Sequence, residues 1–211
     1  MKDKTGILTV VSGFSGAGKG TIIRRLLEMH PEYVMSVSVT TRDPRKDEVE
    51  GESYFFRTRE YFEELIEKNL LMEYAEYCGC YYGTPLKFVQ DNLAEGRDVL
   101  LEIETVGAGK IMQKYPEVPA IFLTPPSLAE LENRLRSRKT ETEEKIRERI
   151  AKACKEAPFI RDYRYIVVNE TDKQTECAEL IHNIIQVEKR RVGRNTDLVE
   201  ALVSEAEKRS I

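Results

Sequence analysis

An apolar strand, a glycine-rich loop and an amphipathic helix, joined without interruption, constrain this chain more than any other feature. Residues 6–12, GILTVVS, are β-branched and almost all apolar, the pattern of a short buried strand. The stretch Gly13-Phe14-Ser15-Gly16-Ala17-Gly18-Lys19 follows and fits G-x-x-x-x-G-K. From about Thr21 the run IIRRLLEM has helical spacing and stops before Pro31. Strand, loop and helix in this order predict an α/β fold with a parallel sheet. Glycines admit positive φ and close backbone approach, so successive N–H groups converge on an anion ahead of the helix N-terminus. Lys19 adds a mobile point charge for β- and γ-phosphates.

The usual residue after the lysine is Ser or Thr, whose hydroxyl ligates Mg²⁺. Here Gly20 stands in that place and Thr21 follows. A magnesium ion would then rely on Thr21, or on phosphates and water, which its reluctance to shed water allows.

Composition closes off other classes. The 211 residues suit one domain with an inserted lobe. With 41% hydrophobic and 33% charged residues, the chain is neither disordered nor fibrous. Net charge is −4, so no general nucleic-acid binding is expected, since phosphate neutralisation needs a basic surplus. Two His make a His-based metal cage or a hydrolase triad an unpromising reading. No signal core precedes the loop, no apolar run approaches the roughly 20 residues of a membrane span, and no membrane partner is expected. Cys78, Cys80, Cys154 and Cys177 read as free thiols of a cytoplasmic protein, and Cys78-Gly-Cys80 has no zinc spacing.

Further along, residues 34–85 read as a small mixed β lobe. VMSVSVTT alternates like a strand, RDPRKDEVEG is a polar turn and SYFFR a second strand. EYFEELIEKNLLME has helical spacing, and EYCGCYYGTP reads as a strand or hairpin. Core strands are expected at 98–104, 120–126 and 164–169, with helices at 86–95, from Ser127, from Thr140 or Thr142, and over 174–192. Ser127 and Glu130 match a capping box. A charged helix from Thr196 ends the chain, with no motif to give it a role; a monomer and a homodimer both remain open.

Within the lobe, Thr41-Arg42-Asp43-Pro44-Arg45 sets two Arg around a rigid turn, and Arg reads phosphate bidentately. Tyr54, Tyr81 and Tyr82 offer hydroxyls to the same anion. A carboxylate such as Glu73 suits a purine edge with two adjacent donors, as in guanine.

Taken together, VSGFSGAGKGT, SVSVTTRDPRKDEVEGESYFF, MEYAEYCGCYYGTP and RLRSRKTETEEKIRERI resemble guanylate kinase, over about residues 6–190. The resemblance implies a P-loop NTPase core (about 5–33 and 86–193) with flanking helices. It also implies an inserted GMP-binding lobe (about 34–85), a helical lid (about 134–149) and a C-terminal helix (about 196–211). It implies that residues Gly13 to Thr21 and Asn169 bind ATP, carried with Mg²⁺. It places Arg42, Arg45, Tyr54 and Tyr82 on the GMP phosphate and Ser38, Glu73 and Thr84 on the base. Glu102 and Glu104 stand where the family has Asp-x-Asp, near the base amino group and the magnesium shell. They are i and i+2 on a strand and share a face, each one methylene longer. Thr105-Val106-Gly107 replaces a pattern that usually carries Gln before the glycine. Arg134, Arg138 and Arg149 are implied to close over the transferred phosphoryl group with Lys19.

The implied reaction, ATP + GMP ⇌ ADP + GDP, needs no general base, because the acceptor oxygen is already anionic. Two other readings are weighed beside it. A kinase of this frame with another acceptor would lack the Ser38, Glu73 and Thr84 set. A phosphopeptide-binding module of the same fold would be expected to lose loop or lid residues that this chain keeps.

Overall fold

The computed structural model describes residues 5–46, 48–77, 79–137 and 142–209. The predicted first strand, β1 (Leu8–Gly13), is the centre of a five-stranded parallel sheet. On one side it pairs with β7 (Val99–Glu102), which pairs with β2 (Val34–Met35). On the other it pairs with β8 (Ala120–Thr124), then β9 (Tyr165–Val168). Successive side chains point to opposite faces, so both faces of the sheet are apolar and both are covered. Ile7, Val11, Leu100 and Ile121 pack on α1 (Lys19–Met29) and α7 (Gln174–Glu188). Leu8, Val10, Val99 and Leu101 pack on α3 (Leu86–Ala94) and α4 (Thr105–Lys114). Each fully buried Ile or Leu contributes roughly 1.5–3 kcal/mol.

A third cluster ties the glycine loop to the rest of the core. Phe14 is buried with its ring edge on Phe122, centroids 5.0 Å apart. Around them pack α5 (Leu128–Ser137) through Leu131 and Leu135, and α6 (Glu143–Glu156) through Ile146 and Ala153. The N-cap expected at Ser127 is present, its Oγ accepting from Glu130 N at 3.0 Å. The other half of the capping box is not, because the Glu130 carboxylate is engaged by Arg134 and Thr171.

The second sheet holds β3 (Val39–Thr40), β4 (Phe55–Phe56), β5 (Leu71–Tyr77) and β6 (Cys80–Pro85), in the order β4-β3-β6-β5. It is mixed: β3 runs parallel to β4 and antiparallel to β6, which forms a hairpin with β5. Helix α2 (Arg59–Glu67), capped by Thr58, packs Phe62 against Val39 and Leu71.

Three local expectations change. The single strand read over VMSVSVTT is two strands in two sheets: Ser36 N still bonds Leu100 O, whereas Ser38 O accepts from Phe55 N. The helix read through residue 73 ends at Glu67, where Asn69 takes φ 52° and the chain turns into β5. Glu73 therefore sits on a strand, opposite Thr84. Helix α4 was not among the expected elements; Gly107 and Gly109 lower its propensity. The final helix α8 (Thr196–Arg209) forms as predicted and buries none of its residues. Among the described residues no helix is long and apolar enough to cross a membrane. Cys80, Cys154 and Cys177 are free thiols; Cys78 lies outside the described residues.

Candidate active site

Both cavities of interest open at the carboxyl ends of the core strands, where the connections from β1 and β8 leave for opposite sides of the sheet. Open α/β sheets bind ligands at such a point. The glycine loop lies between the cavities. Ser15 and Lys19 line the first, of about 320 Å³. Gly18 and Thr21 line the second, of about 410 Å³.

The loop is held from several directions. Gly16 and Gly18 take φ 99° and 93°, a region that side chains rarely enter. A Cβ on Gly18 would also stand 2.6 Å from Asn169 Nδ2. That amide donates to Ala17 O at 2.8 Å, so Asn169, which lines the second cavity, also braces the loop. Lys19 is buried, and its ammonium donates to Gly13 O at 2.8 Å and Phe14 O at 3.3 Å. No acidic residue occupies the first turn of α1, which leaves its N-terminus favourable to an anion.

Across the first cavity stand the lobe residues. Arg42 meets both oxygens of Glu48, at 2.8 and 2.9 Å, and lies over the Tyr54 ring at 5.5 Å. Tyr82 also hydrogen-bonds the Arg42 guanidinium, and the Tyr54 and Tyr82 rings meet at 5.9 Å. Arg45 donates its backbone N–H to Glu48 at 2.8 Å and lines the same cavity, as does Ser38. Burial works against the Glu48 carboxylate, but the Arg45 N–H and the Arg42 guanidinium outweigh it and hold its pKa below the usual range.

Deeper in the cavity, Glu73 is 7% exposed and accepts the Thr84 hydroxyl at 2.8 Å. Burial pushes its carboxyl up, against the partial opposition of Thr84 and Lys110. Thr84 is buried behind Glu73, its hydroxyl given to that carboxylate. Gly107 of α4 lets this happen: a Cβ there would lie 2.6 Å from Glu73 Oε2. Gly107→Ala is therefore expected to displace the carboxylate while the fold stays intact. KM for a substrate held by that carboxylate would rise about tenfold or more, the loss of roughly one buried charge-assisted hydrogen bond. Unchanged steady-state kinetics in a folded variant would contradict it.

Glu102 and Glu104 both face the first cavity, as their spacing predicts. Glu104 lies 3.9 Å from the Lys19 ammonium and accepts from Lys152 at 3.1 Å; Lys152 also reaches Glu156 at 3.4 Å. Burial raises the Glu102 carboxyl, Lys19 partly offsets it and Glu104 adds to it.

The arginines expected to act together are divided. Arg149 donates to Ser15 Oγ at 2.9 Å and lines the first cavity. Arg134 pairs with Glu130, donates to Asn169 O at 2.9 Å and lines the second. Arg138 lies outside the described residues. Reading the chain alone passed over Glu48, inside a polar turn, and Lys152, inside a charged helix, because neither carries a motif. The only two His, His30 and His182, stack on each other 3.7 Å apart and line neither cavity.

The geometry agrees with comparisons to known proteins. The guanylate kinase family model matches residues 5–187. A guanylate kinase of Caldanaerobacter subterraneus subsp. tengcongensis is 47% identical over 92% of this chain and 94% of its own. One of Clostridioides difficile is 48% identical over 93% and 95%. The crystal structure of guanylate kinase from Anaplasma phagocytophilum superposes with a TM-score of 0.75 at 35% identity, covering 92% of both chains. A phosphate loop, a two-Arg lobe and a buried carboxylate around one cavity, with these likenesses along nearly the whole length, establish that the chain belongs to the guanylate kinase family.

Proposed function

We infer that this protein transfers the γ-phosphoryl group of ATP to GMP, giving ADP and GDP. The observation that carries this reading is the placement of the loop between two cavities. Lys19 and Ser15 share one cavity with Arg42, Arg45 and Glu73, while Gly18, Thr21 and Asn169 share the other. A donor seated in the second cavity would pass its phosphates over the loop toward an acceptor in the first. The second sheet and α2 serve as the acceptor lobe, and the segment between Arg134 and Arg149 as the lid.

Catalysis in such a reaction is positioning plus electrostatic stabilisation of charge spread over the equatorial oxygens. Arg42 and Arg45, with the Tyr54 and Tyr82 hydroxyls, would orient the GMP phosphate. Glu73 would accept both donors of the guanine edge, and Ser38 borders the same space. Lys19 and Arg149 would meet the transferring group, and Arg134 the donor side. ATP brings a divalent cation, which neutralises charge on its β- and γ-oxygens. The carboxylates of Glu102 and Glu104, oxygen donors beside Lys19, fit a hard ion. Free thiols at Cys80, Cys154 and Cys177 suit a cytoplasmic enzyme.

An acceptor panel in a coupled ADP-release assay tests the reading. GMP is expected to exceed AMP, CMP and UMP by at least about 10²-fold in kcat/KM, as buried polar recognition allows. Equal rates with AMP would overturn the acceptor assignment, and no turnover with any acceptor would favour a binding module.

A further inference from the structure

Two His are too few for a metal cage of their own, but the fold brings both to one place and adds a carboxylate. His30 caps the C-terminus of α1, Glu32 follows in the turn before β2, and His182 lies on α7. The imidazole rings stack with centroids 3.7 Å apart and planes 9° from parallel. One ligand atom from each of His30, Glu32 and His182 lies within 4.8 Å of the other two. The three residues line neither cavity, so phosphoryl transfer gives no reason for their meeting.

The surrounding hydrogen bonds support a ligand role. His30 Nε2 lies 3.3 Å from Glu179 Oε1. An ionised carboxylate only accepts, so Nε2 carries the proton. In the neutral ring Nδ1 is then a bare lone pair, and it faces Glu32 Oε1 at 3.6 Å. Two electron-pair donors oppose each other and call for a cation between them. A proton would answer that pair alone, whereas a metal ion also uses the third donor, a nitrogen of His182. The second ring is held too: Tyr33 Oη lies 2.8 Å from His182 Nδ1 and accepts from Gln186 Nε2 at 3.1 Å. A ring nitrogen engaged by a carboxylate or another fixed polar group is the usual support of a metal-bound His. The Glu32 side chain is 56% exposed, which opens the cluster to an ion from solvent.

We propose that His30, Glu32 and His182 form a binding site for a divalent transition-metal ion of the zinc type, with Glu179 and Tyr33 orienting the two imidazoles and water completing the coordination. Two nitrogens and one oxygen suit a borderline ion such as Zn²⁺, whereas Mg²⁺ prefers oxygen alone. Tetrahedral Zn²⁺ sets its ligand atoms about 3.4 Å apart, given bonds of about 2.0–2.1 Å. The 3.6 Å between His30 and Glu32 is close to that, and a small rotation of the His182 ring brings in the third ligand. The ion ties the connection from α1 to β2 onto α7. Both helices already share one core cluster, so the site acts as a clamp on the fold and leaves the reaction chemistry alone.

Titration of Zn²⁺ into the ¹⁵N-labelled full chain, followed by NMR of the His ring nitrogens, tests this. The chain has only two His, so their signals report on the site directly. Zn²⁺ is expected to shift the ring signals of both, and millimolar Mg²⁺ to shift neither. The melting temperature is expected to rise by about 5–10 °C when Zn²⁺ stands at about a hundred times its Kd. Glu32→Gln and His182→Gln are each expected to weaken Zn²⁺ by at least about tenfold, and Glu179→Gln by about 10–100-fold through the orientation of His30. Glu32→Gln changes an exposed turn, so the comparison holds even if His182→Gln disturbs folding. Zn²⁺ that leaves either His signal in place, or that binds Glu32→Gln as tightly as wild type, would overturn the proposal.

Discussion

Replacing Lys19 with alanine is expected to lower kcat by about 10²–10³-fold, the range seen when one preorganised donor to a developing charge is removed. GMP affinity is expected to stay near that of wild type. The reason is the position of the ammonium. It is buried and held by Gly13 O at 2.8 Å and Phe14 O at 3.3 Å, so it is aimed from within the loop before any ligand arrives. The Arg42, Arg45 and Tyr82 group stands across the cavity and does not depend on it. Arginine is not expected to rescue the variant, because a planar fork does not replace a compact ammonium in this bend. Measuring kcat in the coupled assay and GMP binding by calorimetry separates the two effects. An affinity loss as large as the rate loss would refute the division of roles.

Glu73→Gln is expected to lose GMP and gain stability together. Truncating one partner of a buried, hydrogen-bonded charge pair costs about 2–5 kcal/mol, so kcat/KM for GMP is expected to fall by about 10²–10³-fold. A carboxylate accepts from both guanine donors, whereas an amide offers one acceptor and opposes the other donor with its own N–H. The stability effect has the reverse sign. Burial raises the Glu73 carboxyl above its ordinary value. A raised carboxyl binds its proton more tightly in the folded chain, so folding is favoured at low pH and this contribution is lost as pH rises through the folded value. At neutral pH the wild type carries the cost of a buried charge, which the amide removes. Glu73→Gln is therefore expected to melt higher at pH 7, with the difference vanishing below the usual carboxylate range. In wild type, KM for GMP is expected to rise on acidification, beginning above that range. A variant that melts lower at pH 7 while binding GMP normally would contradict both halves.

Much of this could be read from the chain because it is encoded locally. β1, the loop and α1 declare themselves through apolar runs, glycines and a proline stop, each set by neighbouring residues. Four core strands and most of the helices were legible for the same reason. Glu73 was singled out as a carboxylate suited to a purine edge and was read on a helix, because EYFEELIEKNLLME has helical spacing until Asn69 turns it. The pairing of Glu73 with Thr84 is a cross-strand contact and has no signature along the chain. By propensity alone, a glycine at position 107 weakens helix α4. Only the approach of Glu73 Oε2, 2.6 Å from where a Cβ would stand, shows why a glycine belongs there.

The amino-acid order by itself determined the class of chemistry: a phosphate loop, arginines for an anion, carboxylates without a proton shuttle. These depend on residue type and short spacing, which sequence displays directly. Tertiary structure alone decided how the parts are shared between the two cavities. Arg134 on α5 and Arg149 on α6, a few turns apart in sequence, face different cavities, although both helices pack in one cluster with Phe14. Gly20 and Glu102 lie far apart in the chain and meet because parallel pairing sets Glu102 beside Val11, just below the loop. Such meetings arise from register between distant strands, which no local pattern records.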